Sequence, residues 1–181
     1  MQIGFYFDQS RCIGCYACVA ACRSWKQLPP EYPDLIQIIS HERGKFPSVW
    51  LSFLFLTCFH CEEPACVSAC PSKLLVKRQE NGIVLVACHE KCTNCQLCVD
   101  ACPYGALKIV INGEAKIMKC DLCIDRISKG LSPACVSTCP TEALDVKTIA
   151  ELSTKHGKLK EIDGFPDFRI TKPSIVFRSK P

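Results

Sequence analysis

Cys92, Cys95, Cys98 and Cys102, with Pro103 behind them, stand in the spacing C-x2-C-x2-C-x3-C-P. Thiolates hold iron-sulfur clusters, and in this spacing the first three converge on one 4Fe-4S cube while the fourth reaches a different one. One such run needs a partner, and the chain has three more. Cys12, Cys15, Cys18 and Cys22 repeat the spacing, with Arg23 in place of the proline. Cys58, Cys61, Cys66 and Cys70 repeat it with two extra residues in the middle gap, followed by Pro71. Cys120, Cys123, Cys135 and Cys139 repeat it with an eleven-residue gap, followed by Pro140. Four runs of four give sixteen candidate ligands, enough for four cubes.

These thiols can be positioned by a tight loop followed by a short helix. The loop turns three side chains toward one point. The fourth cysteine lies four residues past the third, on the same helix face and about 6 Å further along, so it can complete a neighbouring cluster. The proline then ends the helix and directs the chain outward. Paired runs thus fix clusters close together, and close clusters exchange electrons. Storage or sensing would need only one.

Other chemistry for this cysteine content fits less well. The 181 residues carry 17 cysteines, an odd count in tight quasi-periodic spacings, and no signal-like segment precedes the first run, which argues against a disulfide scaffold. Zinc closes its shell with two C-x2-C pairs and has no use for a third cysteine three residues on. The formal charge of +4 counts every thiol as neutral, whereas each oxidised cube with four thiolates carries about two negative charges. The basic balance is therefore no nucleic-acid signal, and Lys and Arg are scattered. The longest apolar run, Val49 to Phe59, is too short to span a membrane. No Ser-His-Asp set, phosphate loop or paired carboxylates stand out, so no catalytic residue is expected.

Along the chain, residues 3 to 7 read as a strand and Cys18 to Lys26 as a helix ended by Pro29-Pro30. Leu35 to Ser40 and Val49 to Leu56 predict a hairpin around a turn at His41 to Pro47. Leu74 to Lys77 with Ile83 to Val86, and Leu107 to Ile111 with Ala115 to Met118, predict two more, with type I′ turns at Asn81-Gly82 and Asn112-Gly113. Thr148 to Glu151 is a capping box opening a helix that Gly157 closes. Ile175-Val176-Phe177 reads as an extended tail laid over this protein or a partner, or as a frayed end.

The regular third run is expected to pair with its neighbour the second, and the first with the fourth. The fold class is then α+β: two nested bacterial-ferredoxin-like modules with short helices, hairpin insertions and an extended C-terminal tail. One module takes residues 1–57 plus 104–147, the nested one 58–103, and the helix and tail 148–181.

The segments Gly4-Phe-Tyr-Phe-Asp-Gln-Ser-Arg-Cys-Ile-Gly-Cys15, Cys58-Phe-His-Cys-Glu-Glu-Pro-Ala-Cys66, Cys102-Pro-Tyr-Gly-Ala106, Lys119-Cys-Asp-Leu-Cys123 and Thr171-Lys-Pro-Ser-Ile-Val176 carry a resemblance. Together they are similar to the iron-sulfur subunit of dimethyl-sulfoxide-reductase-type oxidoreductases over nearly the whole chain. The resemblance implies four 4Fe-4S clusters in a line and the same run pairing. It implies the ligand sets Cys12, Cys15, Cys18 with Cys139; Cys120, Cys123, Cys135 with Cys22; Cys58, Cys61, Cys66 with Cys102; and Cys92, Cys95, Cys98 with Cys70. It further implies a non-catalytic electron-transfer subunit next to a large molybdenum- or tungsten-pterin subunit, with a quinone-linked membrane anchor or a soluble redox carrier at the other end. The chain stops soon after Pro173, without the C-terminal membrane helix that some formate dehydrogenase relatives carry. A cytoplasmic or cytoplasmic-membrane-associated location is expected, or the periplasm if a signal-bearing partner exports it folded. Alternatives are a soluble polyferredoxin, a carrier linked to a hydrogenase or formate enzyme, and the small subunit of a tungsten aldehyde oxidoreductase-type enzyme.

A few residues beside the runs remain. Cys88, the seventeenth cysteine, reads as a buried or strand-end free thiol, and His60 as a residue beside the cluster ligands or on the surface. Arg11, Lys91 and Lys119 each precede a run's first cysteine, where a cation would favour the reduced cluster or simply be a solvated charge. Arg126 and Lys129 lie in the long gap of the fourth run. Trp25, Trp50 and Phe53-Leu54-Phe55 are expected to pack rather than conduct.

Overall fold

The computed structural model describes residues 1–112 and 114–181; residue 113 and the side chains of residues 112 and 114 lie outside the description. Strand β1 (Ile3–Asp8) is buried along five of its six residues, because both of its faces are covered. It pairs antiparallel with β8 (Leu144–Thr148) and parallel with β9 (Ile175–Arg178), giving the order β8-β1-β9. Side chains alternate across a strand. Phe5, Phe7, Ile175 and Phe177 therefore enter the main core, while Tyr6 and Val176 pack on the opposite face against Leu152.

Leu152 belongs to helix α6 (Ile149–His156), which opens on the expected capping box. Thr148 Oγ1 accepts from the Glu151 amide at 3.2 Å, and the Glu151 carboxylate accepts from the Thr148 amide at 3.1 Å. Gly157 closes the helix at a φ of 91°.

The segment read as an extended tail over this protein or a partner, or as a frayed end, is a strand of this protein's own central sheet. Ile175 and Val176 are 0% exposed and Phe177 1%, as members of the central sheet. Apolar side chains here bury on both faces, which a surface strap could not do. The segment leading into β9 is stitched to the second cysteine run: Ser174 N donates to Phe59 O at 3.1 Å, and Glu62 N to Lys172 O at 2.8 Å.

Three hairpins project from this frame. In β2 (Gln37–Lys45) and β3 (Ser48–Leu56) the strands run further than the sequence suggests, so the turn is only Phe46-Pro47 and His41 to Lys45 are strand. Its inner end is buried at Leu54, Phe55 and Leu56, and its tip carries Phe46 at 92% exposure. The hairpin of β4 (Leu75–Lys77) and β5 (Val84–Val86) forms, but not on a type I′ turn. That turn needs positive φ at both central residues. Only Gly82 of the pair has it, at 74°, and the loop is closed by Gly82 N donating to Arg78 O at 2.8 Å. The third hairpin joins β6 (Lys108–Asn112) to β7 (Glu114–Met118), and its expected Asn112-Gly113 turn falls outside the described residues.

Short helices follow the cysteine loops: α1 (Ala17–Trp25), α2 (Ala65–Ala69), α3 (Leu97–Asp100), α4 (Ile124–Ile127) and α5 (Ala134–Ser137). α1 packs against α5 and α2 against α3, so the first run meets the fourth and the second meets the third. Among the described residues no helix is long and apolar enough to cross a membrane.

The main core is aromatic. Phe59 lies edge-on to Phe5, Phe55, Tyr104 and Phe165 at ring separations of 6.3, 6.5, 5.1 and 5.4 Å. A second, smaller core under the second and third runs holds Leu74, Leu75, Val84, Leu107 and Ile117 with Cys66, Cys70 and Cys98.

Candidate iron-sulfur sites

Backbone conformation explains how the loops bring their thiols together. Between the first and second cysteines of the first and third runs, Gly14 and Asn94 have φ of 66° and 54°; between the second and third, Tyr16 and Gln96 have 59° and 60°. Two left-handed residues in five curl each loop into a cup. Gly14 has a further reason to lack a side chain, since a Cβ there would sit 2.4 Å from the Phe53 ring. The second and fourth runs use His60, at 47°, and Leu122 and Cys123, at 61° and 49°.

Each cup gathers thiols from two runs. Burial pushes the Cys18 thiol up to about 11, and the neighbouring Cys12, Cys139 and Cys15 push the same way. Burial likewise raises Cys12, with Cys139 and Cys15 adding to it. Cys135 is raised well above a free thiol by burial and then by Cys120, Cys123 and Cys22. Cys66 rises to about 12 through burial, Cys58, Cys102 and Cys61. Cys98 rises through burial, with Cys70, Cys92 and Cys95 adding to it. Thiols of different runs thus lie close together: Cys139 by Cys12 and Cys18, Cys22 by Cys135, Cys102 by Cys66 and Cys70 by Cys98, while Cys18 also acts on Cys135 and Cys58 on Cys120.

Such a donor set fits a cubic cluster. Soft thiols gather there beside apolar side chains. The cup of Cys12, Cys15, Cys18 and Cys139 is walled by Phe7, Ile13, Ile38, Phe55, Ala143 and Leu144, with about 360 Å³ of empty space counting its open side. Backbone amides point at the sulfurs, as a charged cluster requires. Leu74 N, Leu122 N and Ala143 N donate to Cys70, Cys120 and Cys139 Sγ at 3.4, 3.3 and 3.3 Å.

The groups differ in exposure. Cys15 and Cys95 are exposed, whereas Cys120, Cys123, Cys135 and Cys22, and Cys58, Cys61 and Cys66, are buried. The two buried groups approach each other, for Cys120 is raised by burial and then by Cys58.

The residues beside the runs separate clearly. Arg11 is on the surface paired with Glu142 at 3.3 Å, and Lys91 is exposed. Lys119 is buried, as nothing in its sequence context signals. His60 is 0% exposed, with Nδ1 accepting from Val84 N at 3.0 Å, so a surface place for it is excluded. Burial and then the Lys119 charge hold its pKa well below the usual histidine value. Cys88 packs half-buried at the edge of the smaller core. Arg126 stacks over Trp25 at 4.5 Å and donates to Ser132 O at 2.7 Å, which ties the long gap of the fourth run to α1. Lys129 is plain surface.

The chain is similar to known iron-sulfur proteins. Residues 49–149 match the family described as "4Fe-4S dicluster domain", and residues 5–24 the "4Fe-4S binding domain". The chain is 40% identical to a polypeptide of the anaerobic dimethyl sulfoxide reductase of Escherichia coli, across 98% of this protein and 88% of that one. It is 37% identical to a component of the sulfite dehydrogenase of Allochromatium vinosum, across 78% and 67%. With the iron-sulfur subunit of the nitrate-inducible formate dehydrogenase of Escherichia coli it shares 32%, across 83% and 56%. Similarity on this scale, over cysteine cups that fit four 4Fe-4S clusters, means that this protein belongs to the electron-transferring iron-sulfur subunits of dimethyl-sulfoxide-reductase-type oxidoreductases.

Proposed function

We propose that this subunit carries electrons along one line of four clusters, held by Cys12, Cys15, Cys18 and Cys139; Cys120, Cys123, Cys135 and Cys22; Cys58, Cys61, Cys66 and Cys102; and Cys92, Cys95, Cys98 and Cys70, in that order. A 4Fe-4S cluster, when bound, takes up and releases one electron at a time. The observation that supports the reading is the mixing of runs: Cys139 lies by Cys18, Cys22 by Cys135, Cys102 by Cys66 and Cys70 by Cys98. That exchange supports two nested modules, residues 1–57 with 104–147 and residues 58–103, followed by the helix and C-terminal strand of 148–181. The proximity of Cys120 to Cys58 supports this order, and so does the exposure of Cys15 and Cys95 at its two ends.

The chain's own residues then have simple tasks. Sixteen thiols bind, backbone amides orient charge on the sulfurs, and the aromatic core keeps water from the interior pair. The relatives belong to a dimethyl sulfoxide reductase, a sulfite dehydrogenase and a formate dehydrogenase. By analogy one exposed end meets a large molybdenum- or tungsten-pterin subunit, and the other meets a quinone-linked membrane subunit or a soluble carrier, so the protein sits at a membrane through its partner.

The test is anaerobic purification from the native source, with metal and pterin analysis of whatever stays bound. A pterin subunit in stoichiometric amount is expected; a clean monomer carrying four clusters would move the reading to a free polyferredoxin. Replacing Cys102 by Ser tests the ligand sets. The expected result is loss of one cluster by EPR and turnover of the complex at background level, and four intact cubes with full turnover would sink the assignment.

A further inference from the structure

Lys119 is, among the described residues, the one lysine or arginine that is buried, at 7% exposure. Its Nζ donates to Val84 O at 2.5 Å and to Cys120 O at 2.6 Å, and neither acceptor is a carboxylate. The Val84 amide in turn donates to His60 Nδ1 at 3.0 Å, so the His60 ring is neutral with its proton on Nε2. His60 and Lys119 thus grip opposite ends of one residue, Val84, and only one of them is charged. A lysine at neutral pH is an ammonium. Burying such a charge with neutral partners costs several kcal/mol, unless negative charge nearby offsets it.

That negative charge is at hand on two sides. Lys119 precedes Cys120 of the fourth run, and its field reaches Cys120 and Cys66, lowering both thiols against the effect of their burial. These belong to the two interior groups, which are also the pair that meet between Cys58 and Cys120.

We propose that Lys119 is the shared counter-charge of the two interior clusters, a fixed cation at the junction of the modules that raises both reduction potentials together. This rests on the ligand sets proposed above. A positive charge favours whichever form carries the extra electron, and a charge between two clusters moves both in the same direction. Lys119 thereby keeps the middle of the line from becoming an uphill step, without touching either end. His60 anchors Val84 by its amide, and the carbonyl of the same residue accepts from the ammonium.

The test is a potentiometric EPR titration of the anaerobically purified protein with all clusters loaded, in wild type, K119Q and K119R. Signals are assigned with Cys15→Ser and Cys95→Ser, which remove the end clusters in turn. Gln keeps hydrogen-bond donors for Val84 O and Cys120 O but removes the charge; Arg keeps the charge. In K119Q the reduced-to-oxidised ratio of both interior clusters, read at a fixed ambient potential, is expected to fall by about tenfold or more, about 59 mV for a one-electron couple. The end clusters should hold their ratio, and K119R should behave as wild type. Unchanged interior potentials in K119Q, with iron and sulfide at full complement, overturn the role of Lys119 and leave the ligand sets standing. A shift in an end cluster in place of an interior one overturns the ligand sets themselves. Should clusters be lost in K119Q and K119R alike, Lys119 is a packing residue and the inference falls; loss in K119Q alone supports it, since the two variants differ in charge.

Discussion

The two cores of this protein are built from different material. Around the first and fourth runs, and Cys58 and Cys61 of the second, the central sheet and a block of phenylalanines surround the cysteines, and Phe5, Phe7, Phe55, Phe59 and Phe177 are all at most 1% exposed. Under the third run and the later half of the second the core is small, with three of its eight buried residues being cysteines and its hairpin β4–β5 built from strands of only three residues. Apolar area drives folding in the first region. In the second there is too little of it, so the bound clusters themselves must act as core, as structural metals do in small domains. The comparison teaches that one cofactor type can occupy a fold that stands largely by itself and a fold that stands because of it.

Removing the clusters should expose that difference most strongly. After anaerobic chelation, hydrogen exchange is expected to show β4, β5 and α3 losing protection while β1, β8 and β9 keep theirs. Simultaneous loss in both regions would break the comparison. Next in size, Phe59→Ala removes the ring that joins four others, and urea unfolding of the loaded protein should show a loss of about 3–5 kcal/mol. A change below the usual surface range would mean that the aromatic block is not what holds the first region.

A smaller effect concerns alkaline pH. Tyr6 is 4% exposed, and burial, followed by the Asp8 charge and its hydrogen bond at 3.2 Å, pushes its pKa up from 10.0 to about 12. The folded state thus prefers the neutral phenol. This contribution is fully present below pH 10 and is lost as pH rises from 10 through about 12, amounting to about 2–3 kcal/mol. Tyr6→Phe should flatten that limb of the stability curve; an unchanged limb would mean that the far face of the central sheet is wetter than its packing implies.

Much of this organisation was legible in the residues. The four cysteine runs, β1, the hairpins and the Thr148 capping box all depend on spacings within a few residues, which local chemistry fixes. What escaped reading depends on partners far away in sequence. Nothing in Ile175-Val176-Phe177 says that it pairs with Phe5, Tyr6 and Phe7, because that pairing spans 170 residues between Phe5 and Ile175. Nothing beside Lys119 says that two carbonyls and two thiol groups will enclose it, since a lysine before a cysteine on a loop is ordinarily solvated. The Asn81-Gly82 signal was genuine for a turn but not for its type, because four further loop residues share the reversal between Lys77 and Val84. The hairpin at Phe46-Pro47 ran longer than its apolar pattern because the outer strand residues are polar and exposed, with no core to mark them.

The parallel pairing of β1 with β9 also sets a schedule for biosynthesis. The first strand leaves the ribosome early, yet one neighbour ends at Thr148 and the other at Arg178, so it waits unpaired through most of translation. All eight cysteines of runs two and three lie within residues 58–102 and have left the ribosome long before that. The strand at residues 175–178 therefore locks the early strand in place only after nearly all the residues between them have emerged.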